Sequence, residues 1–195
     1  MKKIISLAAS AALLMTSCSH TSWTSREREI IDSADSVMRV LTIADPGDSL
    51  ILREACTDFT PADLLSPEYG KLAELMVATV TSPEQDGVGI AGPQVGISRR
   101  VVAVQRFDRD GNPFEVYPNI RITAVRGEKQ PGYEGCLSVP GRRGEVLRYR
   151  EIEISYTTVN GGTARDTTET VSGFTAVIFQ HETDHLDGVL YIDYL

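Results

Sequence analysis

The segment Gln180-His181-Glu182-Thr183-Asp184-His185 limits this chain more than any other feature. Residues four apart on a helix lie one turn above each other, so the two imidazoles of a His-Glu-x-x-His run reach one metal ion with the glutamate beside them. The stretch before it is apolar on one side, with Phe174, Val177, Ile178, His181 and His185 at helical spacing. This predicts a helix over 172–186 whose buried face carries both histidines.

Two histidines leave a catalytic metal site one protein ligand short of the usual three. A metzincin would place a third His six residues after His185, where Tyr191 stands, and the thermolysin arrangement takes a downstream Glu, of which there is none after His185. The third ligand is therefore expected upstream. The only other histidine, His20, lies near the N-terminus, which leaves cysteine as the natural candidate. Cys136, in Gly135-Cys136-Leu137-Ser138, sits in a compact glycine-containing segment where a thiolate approaches an ion closely.

The rest of the chain reads as short strands grouped in hairpins. Val-rich 100–107, a turn over 108–113 and strand-like 114–117 form one; alternating 151–159, the turn Asn160-Gly161-Gly162 and 163–171 form another. Before them, helical spacing is expected over 29–43 (Ile30, Ala34, Val37, Met38, Leu41) and over 67–81 (Leu72, Leu75, Met76, Ala78, Val80), the second as a surface helix. Hairpins with a late helix predict an α+β domain, antiparallel β-sheets packed around the C-terminal metal helix.

Lys2 and Lys3 followed by an apolar run over 4–15 read as an export signal over 1–17. Met15-Thr16-Ser17-Cys18 resembles a lipoprotein box, so Cys18 is the expected lipidation site and would anchor the chain to a membrane without spanning it. Residues 18–35 are expected to form a polar tether and the start of a helix, and 36–195 the catalytic domain. Cys56 and Cys136 are expected to stay apart, Cys56 as a small apolar residue in a helix or turn. A net charge of −8 argues against a nucleic-acid partner.

Three segments together, Gly87-Val88-Gly89-Ile90-Ala91-Gly92-Pro93-Gln94, Glu134-Gly135-Cys136-Leu137-Ser138 and His181-Glu182-Thr183-Asp184-His185, resemble the motifs of the peptide deformylases, in that family's order. One departure is Gly92, where the family usually has Ala. The resemblance implies one divalent ion on Cys136, His181 and His185, typically Fe²⁺, with Ni²⁺, Co²⁺ or Zn²⁺ able to replace it. It implies a water of lowered pKa on that ion, with Glu182 as general base. The Gln94 amide and the Leu137 N–H would stabilise the formyl oxygen.

The substrates would be N-formylmethionyl peptides or proteins. Gly87, Val88 and Gly89 would pair with the peptide, Val88, Phe174, Val177 and Ile178 would line a methionine pocket, and Arg143 would contact substrate. Glu134 is expected to orient the cysteine loop. The chain is expected to be a monomer. A leader also suits an exported metalloprotease, and it conflicts with a cytoplasmic role unless translation starts at Met38, where Met38-Arg39-Val40-Leu41 resembles the start of cytoplasmic relatives.

Overall fold

The structure is a computed structural model and describes residues 21–195, so the expected signal over 1–17 and the lipidation site Cys18 lie outside the described residues. Four helices come first: α1 (Ser25–Ser33), α2 (Pro46–Leu52), α3 (Pro61–Leu64) and α4 (Pro67–Val80). Eight strands follow, β1 (Gly89–Ala91), β2 (Val101–Gln105), β3 (Phe114–Pro118), β4 (Arg121–Arg126), β5 (Gln130–Cys136), β6 (Val139–Arg148), β7 (Glu151–Asn160) and β8 (Thr163–Ser172). The last long element is α5 (Gly173–Leu186).

Every strand pairing within the sheets is antiparallel, in the orders β1-β2-β3, β4-β7-β8 and β5-β6. Both expected hairpins form, and Asn160 pairs with Thr163 across the Gly-Gly turn. Helix α5 packs against β1, β2 and the β4-β7-β8 sheet, and its Ala176, Ile178, Phe179 and Leu186 join Val102, Val104, Ile152 and Ile154 in one core. The α+β expectation therefore holds, with the metal-motif helix enclosed by sheets. Among the described residues no helix is long and apolar enough to cross a membrane.

The N-terminal expectations need correction. Helix α1 starts at Ser25 and ends at Ser33, and Ala34 is already extended. Ser33, Asp35 and Ser36 offer side chains that compete for backbone hydrogen bonds, so the helix stops there although the apolar spacing continues. Met38 and Leu41 are buried, as the spacing predicts, but from a segment outside any helix, and Val37 is exposed. Leu41 N–H donates to Gln94 O and Ile43 N–H to Ser138 O, so this segment ties together two loops of the later site. Helix α4 matches its expected range, but Leu72, Met76 and Val80 are fully buried in the first core, so it is more than a surface helix. Cys56 lies in neither a helix nor a turn; it is partly buried just before a β-bridge at Thr57.

The described part of the expected tether, 21–25, is folded onto the domain. Trp23 is 4% exposed, packs on Phe59 and donates from Nε1 to Ser66 Oγ. Thr24 and Glu27 form a capping box that starts α1. Arg99, buried, donates to both Glu27 oxygens and to Ser22 O, and its guanidinium lies over the rings of Trp23 and Phe59. Ser22 in turn donates to Asp63 through N–H and hydroxyl.

Burial alone would raise the pKa of Glu27 and Asp63, but bonds from Arg99 and Thr24 to the first, and from Ser22 and Thr60 to the second, outweigh it and hold both below the usual carboxylate range. Carboxylates of lowered pKa stabilise the fold above their unfolded value of about 4, and that stability is lost as pH falls through the folded value. Acidification from pH 6 to below about 4 is therefore expected to loosen this clamp. Trp23 is the sole tryptophan, so a red shift of its emission measures the release directly.

Candidate metal centre

Helix α5 carries His181, Glu182 and His185, and β5 ends at Cys136, where the register against β6 shifts. The metal-binding atoms of Cys136, His181 and His185 all lie within 4.8 Å of one another, and Cys136 Sγ is 3.2 Å from His185 Nε2. His181 Nδ1 is 2.8 Å from Glu134 Oε2, which leaves Nε2 for the cluster. Two imidazoles and a thiol at this spacing are the donor set of a catalytic Zn- or Fe-type site.

The surrounding charges favour a cation there. Burial opposes a charged His181, yet its bonds to Cys136 and Glu134 overcome this and raise its pKa well above the ordinary value. Burial, with the neighbouring His181, pushes His185 well below it. A metal ion answers the same electrostatic demand without protonating either ring. Residues 136, 181 and 185 therefore fit such an ion.

Glu182 stands beside this group but outside it. Burial pushes its carboxyl up to about 7, and its Oε2 is buried with no hydrogen-bond partner among the described residues. A Cβ at Gly89 would lie 2.5 Å from Glu182 Oε1 and 2.8 Å from Ile178 Cγ2, so glycine at 89 makes the room that Glu182 occupies. Gly89 pairs with Val104 in β1-β2. Its place in the sequence pattern thus has a packing cause as well as any substrate contact.

Gln94 sits in a 3-10 turn, Gly92–Val95, directly after β1. Its Oε1 accepts from Ala91 N–H at 2.8 Å, which orients the amide so that Nε2 reaches Ser138 Oγ at 3.2 Å and Cys136 Sγ at 3.6 Å. Leu137 and Ser138 form the turn between β5 and β6. A cleft of about 810 Å³ opens over this centre, lined among others by Gly87, Val88, Val177, Ile178, Gln94 and Leu137.

The family described as polypeptide deformylase matches residues 37–195. The chain belongs to the peptide deformylases. It is 34% identical over 167 residues to a peptide deformylase of Leptospira biflexa serovar Patoc, covering 82% of this chain and 88% of that one. A peptide deformylase of Desulforudis audaxviator is 37% identical over 158 residues, 81% of this chain and 93% of the relative. Among solved structures, a Met-Ala-Ser-bound class I type b peptide deformylase from Acinetobacter baumannii superposes with a TM-score of 0.70 at 34% identity, covering 82% of this chain and 98% of that one. The peptide deformylase of Thermotoga maritima gives 0.69 at 33% identity over 82% and 97%.

Peptide deformylases are hydrolases that use a divalent metal and act on N-formylmethionyl peptides, and this chain holds a Cys136, His181 and His185 cluster able to take such an ion. Gly92, the departure from the family pattern, has a local cause. A Cβ there would meet Arg99 O at 2.6 Å and Ile97 O at 2.7 Å, so this backbone has no room for Ala.

Of the expected substrate residues, Gly87, Val88, Gly89, Arg143, Phe174, Val177 and Ile178 all line the cleft. Phe174 corrects the expectation of a buried helix face: it is 51% exposed at the start of α5 and packs on Phe107, 5.4 Å between ring centroids. Glu134 acts elsewhere than expected. It binds His181 and Arg148, not the cysteine loop as such. Burial would raise its pKa, but those two partners outweigh it and hold it at about 2.

Sequence reading missed Arg148 altogether. Its guanidinium is buried, donates to both Glu134 oxygens and reaches Asp184 at 2.5 Å, so it braces β5 and β6 against the metal helix. An Asp inside the His-Glu-x-x-His run, with an Arg far upstream, is the signal that was available. Tyr191, at the position where a metzincin would have its third His, stacks on His181 at 6.0 Å.

Proposed function

We propose that this chain removes the formyl group from the N-terminal formylmethionine of peptides or proteins, with Cys136, His181 and His185 holding one Fe²⁺ ion and Glu182 as general base. The observation that carries this reading is the position of Glu182, a buried carboxylate with an unpartnered oxygen beside the three-ligand cluster and outside it. When bound, the ion supplies a Lewis acid and a water of lowered pKa. Ni²⁺, Co²⁺ or Zn²⁺ suits the same donors.

Glu182 takes the proton of the attacking water and passes it to the departing amine. A carboxyl raised to about 7 is matched to that exchange near neutral pH. Gln94 Nε2, held by the Ala91 N–H on its other end, and the Leu137 N–H donate to the formyl oxygen as it becomes anionic. Glu134 keeps His181 in the tautomer that presents Nε2, and Arg148 fixes Glu134. Val88, Val177 and Ile178 form the apolar wall for the methionine side chain, with exposed Phe174 at its entrance. Gly87 to Gly89 offers backbone for strand-like pairing with the peptide.

The chain acts as an exported monomer held at a membrane through lipid on Cys18. The basic start, the apolar run and the Met15-Thr16-Ser17-Cys18 box support this. The packing of Trp23 and α1 onto the domain is consistent with a product that keeps its residues after Cys18.

The test is deformylation of formyl-Met-Ala-Ser by anaerobically purified chain beginning at Ser19 and loaded with Fe²⁺ or Ni²⁺. Release of formate and Met-Ala-Ser at one metal per chain is expected. One tightly held metal with the formyl peptide left intact would refute the substrate assignment.

A further inference from the structure

The mouth of the cleft carries positive charge that the deformylation steps leave unused. Arg142, Arg143 and Arg150 line it, on a chain of net charge −8. Arginines elsewhere are neutralised as a rule, from Arg53 with Asp193 to Arg126 with Glu151. Among the described residues none of the three mouth arginines has a carboxylate within ion-pair distance. Arg26 and Arg165 share that condition, and neither lines this cleft. Of the carboxylates that do, Glu134 is committed to Arg148 and His181, Glu182 is the base, and Asp86 forms no ion pair with the three.

The β5-β6 hairpin builds this cluster. Gly135 pairs across from Arg143, and a Cβ on Gly135 would lie 3.3 Å from Arg143 Nε. A Cβ on Gly132 would lie 3.4 Å from Arg150 Nη2, which donates to Pro131 O at 3.1 Å. The two glycines of β5 thus leave a bare strip on which two guanidinium groups rest.

Arg142 arrives by a different route. Cys136 pairs with Val139 but Gly135 with Arg143, so residues 140–142 bulge out of β6, with Gly141 at φ +72°. Bulges beside active sites re-aim side chains, and this one adds Arg142 to the cleft lining. Arg150 Nε is buried without a hydrogen-bond partner, a donor whose desolvation the fold itself does not offset.

We infer that these arginines select substrates with a carboxylate a few residues behind the formylated end. Arginine suits this task because its planar fork meets a carboxylate with two parallel hydrogen bonds. The inference rests on the deformylase reading of the same cleft. Two sources share the chemistry: the free C-terminus of a short peptide, and an Asp or Glu side chain near the start of a longer one.

Steady-state kinetics of the metal-loaded chain on three peptides separates them: formyl-Met-Ala-Ser, its C-terminal amide, and formyl-Met-Ala-Glu amide. At low salt the free acid is expected to show a KM about tenfold below that of the Ser amide, with similar kcat. The difference should vanish in about 0.5 M NaCl, where screening is short-ranged. It should shrink in the R142Q/R150Q double variant, which keeps only Arg143 of the three, and the salt effect on the wild type decides the matter if that variant folds poorly. A Glu amide that behaves like the free acid assigns side-chain carboxylates; one that behaves like the Ser amide assigns chain ends. Equal KM for all three peptides at low salt overturns the inference while leaving the deformylase reading intact. If no peptide is deformylated, the deformylase reading fails instead, and equilibrium binding of Met-Ala-Ser against its amide decides the arginine question, equal Kd overturning it.

Discussion

The Glu182→Ala protein is expected to bind one metal ion per chain and to deformylate formyl-Met-Ala-Ser about 10²–10⁴-fold more slowly than the wild type. Cys136→Ala is expected to lose metal and activity together. The two outcomes differ because the residues stand in different relations to the centre. Cys136 Sγ lies within the three-ligand cluster, 3.2 Å from His185 Nε2, so its loss leaves two histidines, too few to hold a catalytic ion. Glu182 lies outside the cluster, and under the proposed mechanism its replacement removes a proton carrier from an otherwise intact site. Metal content by elemental analysis, measured with the rate on the same samples, separates the roles. A Glu182→Ala chain that loses its metal would make Glu182 a ligand and sink the assignment of a separate base.

Much of this centre is legible in the sequence because its chemistry is local. A His-Glu-x-x-His run with an apolar flank specifies both a helix and the face on which the histidines sit, and Asn160-Gly161-Gly162 specifies a hairpin that the structure bears out. The β5-β6 hairpin was harder to see. Pro131, Gly132 and Gly135 give β5 little strand propensity, and two of those positions are kept bare for side chains that arrive from elsewhere. The partnership of Arg148 with Glu134 and Asp184 spans 14 and 36 residues, so no local pattern announces it. The N-terminal helix shows the opposite failure: Met38 and Leu41 continue an apolar spacing that the backbone no longer follows. Those side chains are buried from a segment outside any helix, in which the Leu41 and Ile43 N–H groups bond to Gln94 O and Ser138 O. The apolar spacing specifies burial there, and not conformation.

A chain beginning at Met38 is expected to be far less stable than one beginning at Ser19, with a melting temperature lower by at least about 10 °C and a strong tendency to aggregate. Such a product lacks Trp23 and Ile31, both buried, each contributing about 1.5–3 kcal/mol by its burial. It strips Arg99 of Glu27 and Ser22, leaving it the Asp58 carbonyl at 3.2 Å and Asp63 at 3.9 Å; breaking one side of a buried ion pair costs up to about 3–5 kcal/mol. The Met38 N–H donates to Thr79 Oγ1 in a buried bond, and initiation at that residue would place a charged amine there instead. Together these losses are of the order of the whole stability of a domain, about 5–15 kcal/mol. The consequence reaches the question of location, because the Met38 start is the route by which this deformylase would remain in the cytoplasm. Equal melting of the two products would show residues 19–37 to be dispensable and restore that route. A Met38 product that fails to fold leaves the longer chain, with the export signal and lipidation site expected from its sequence, as the form to test.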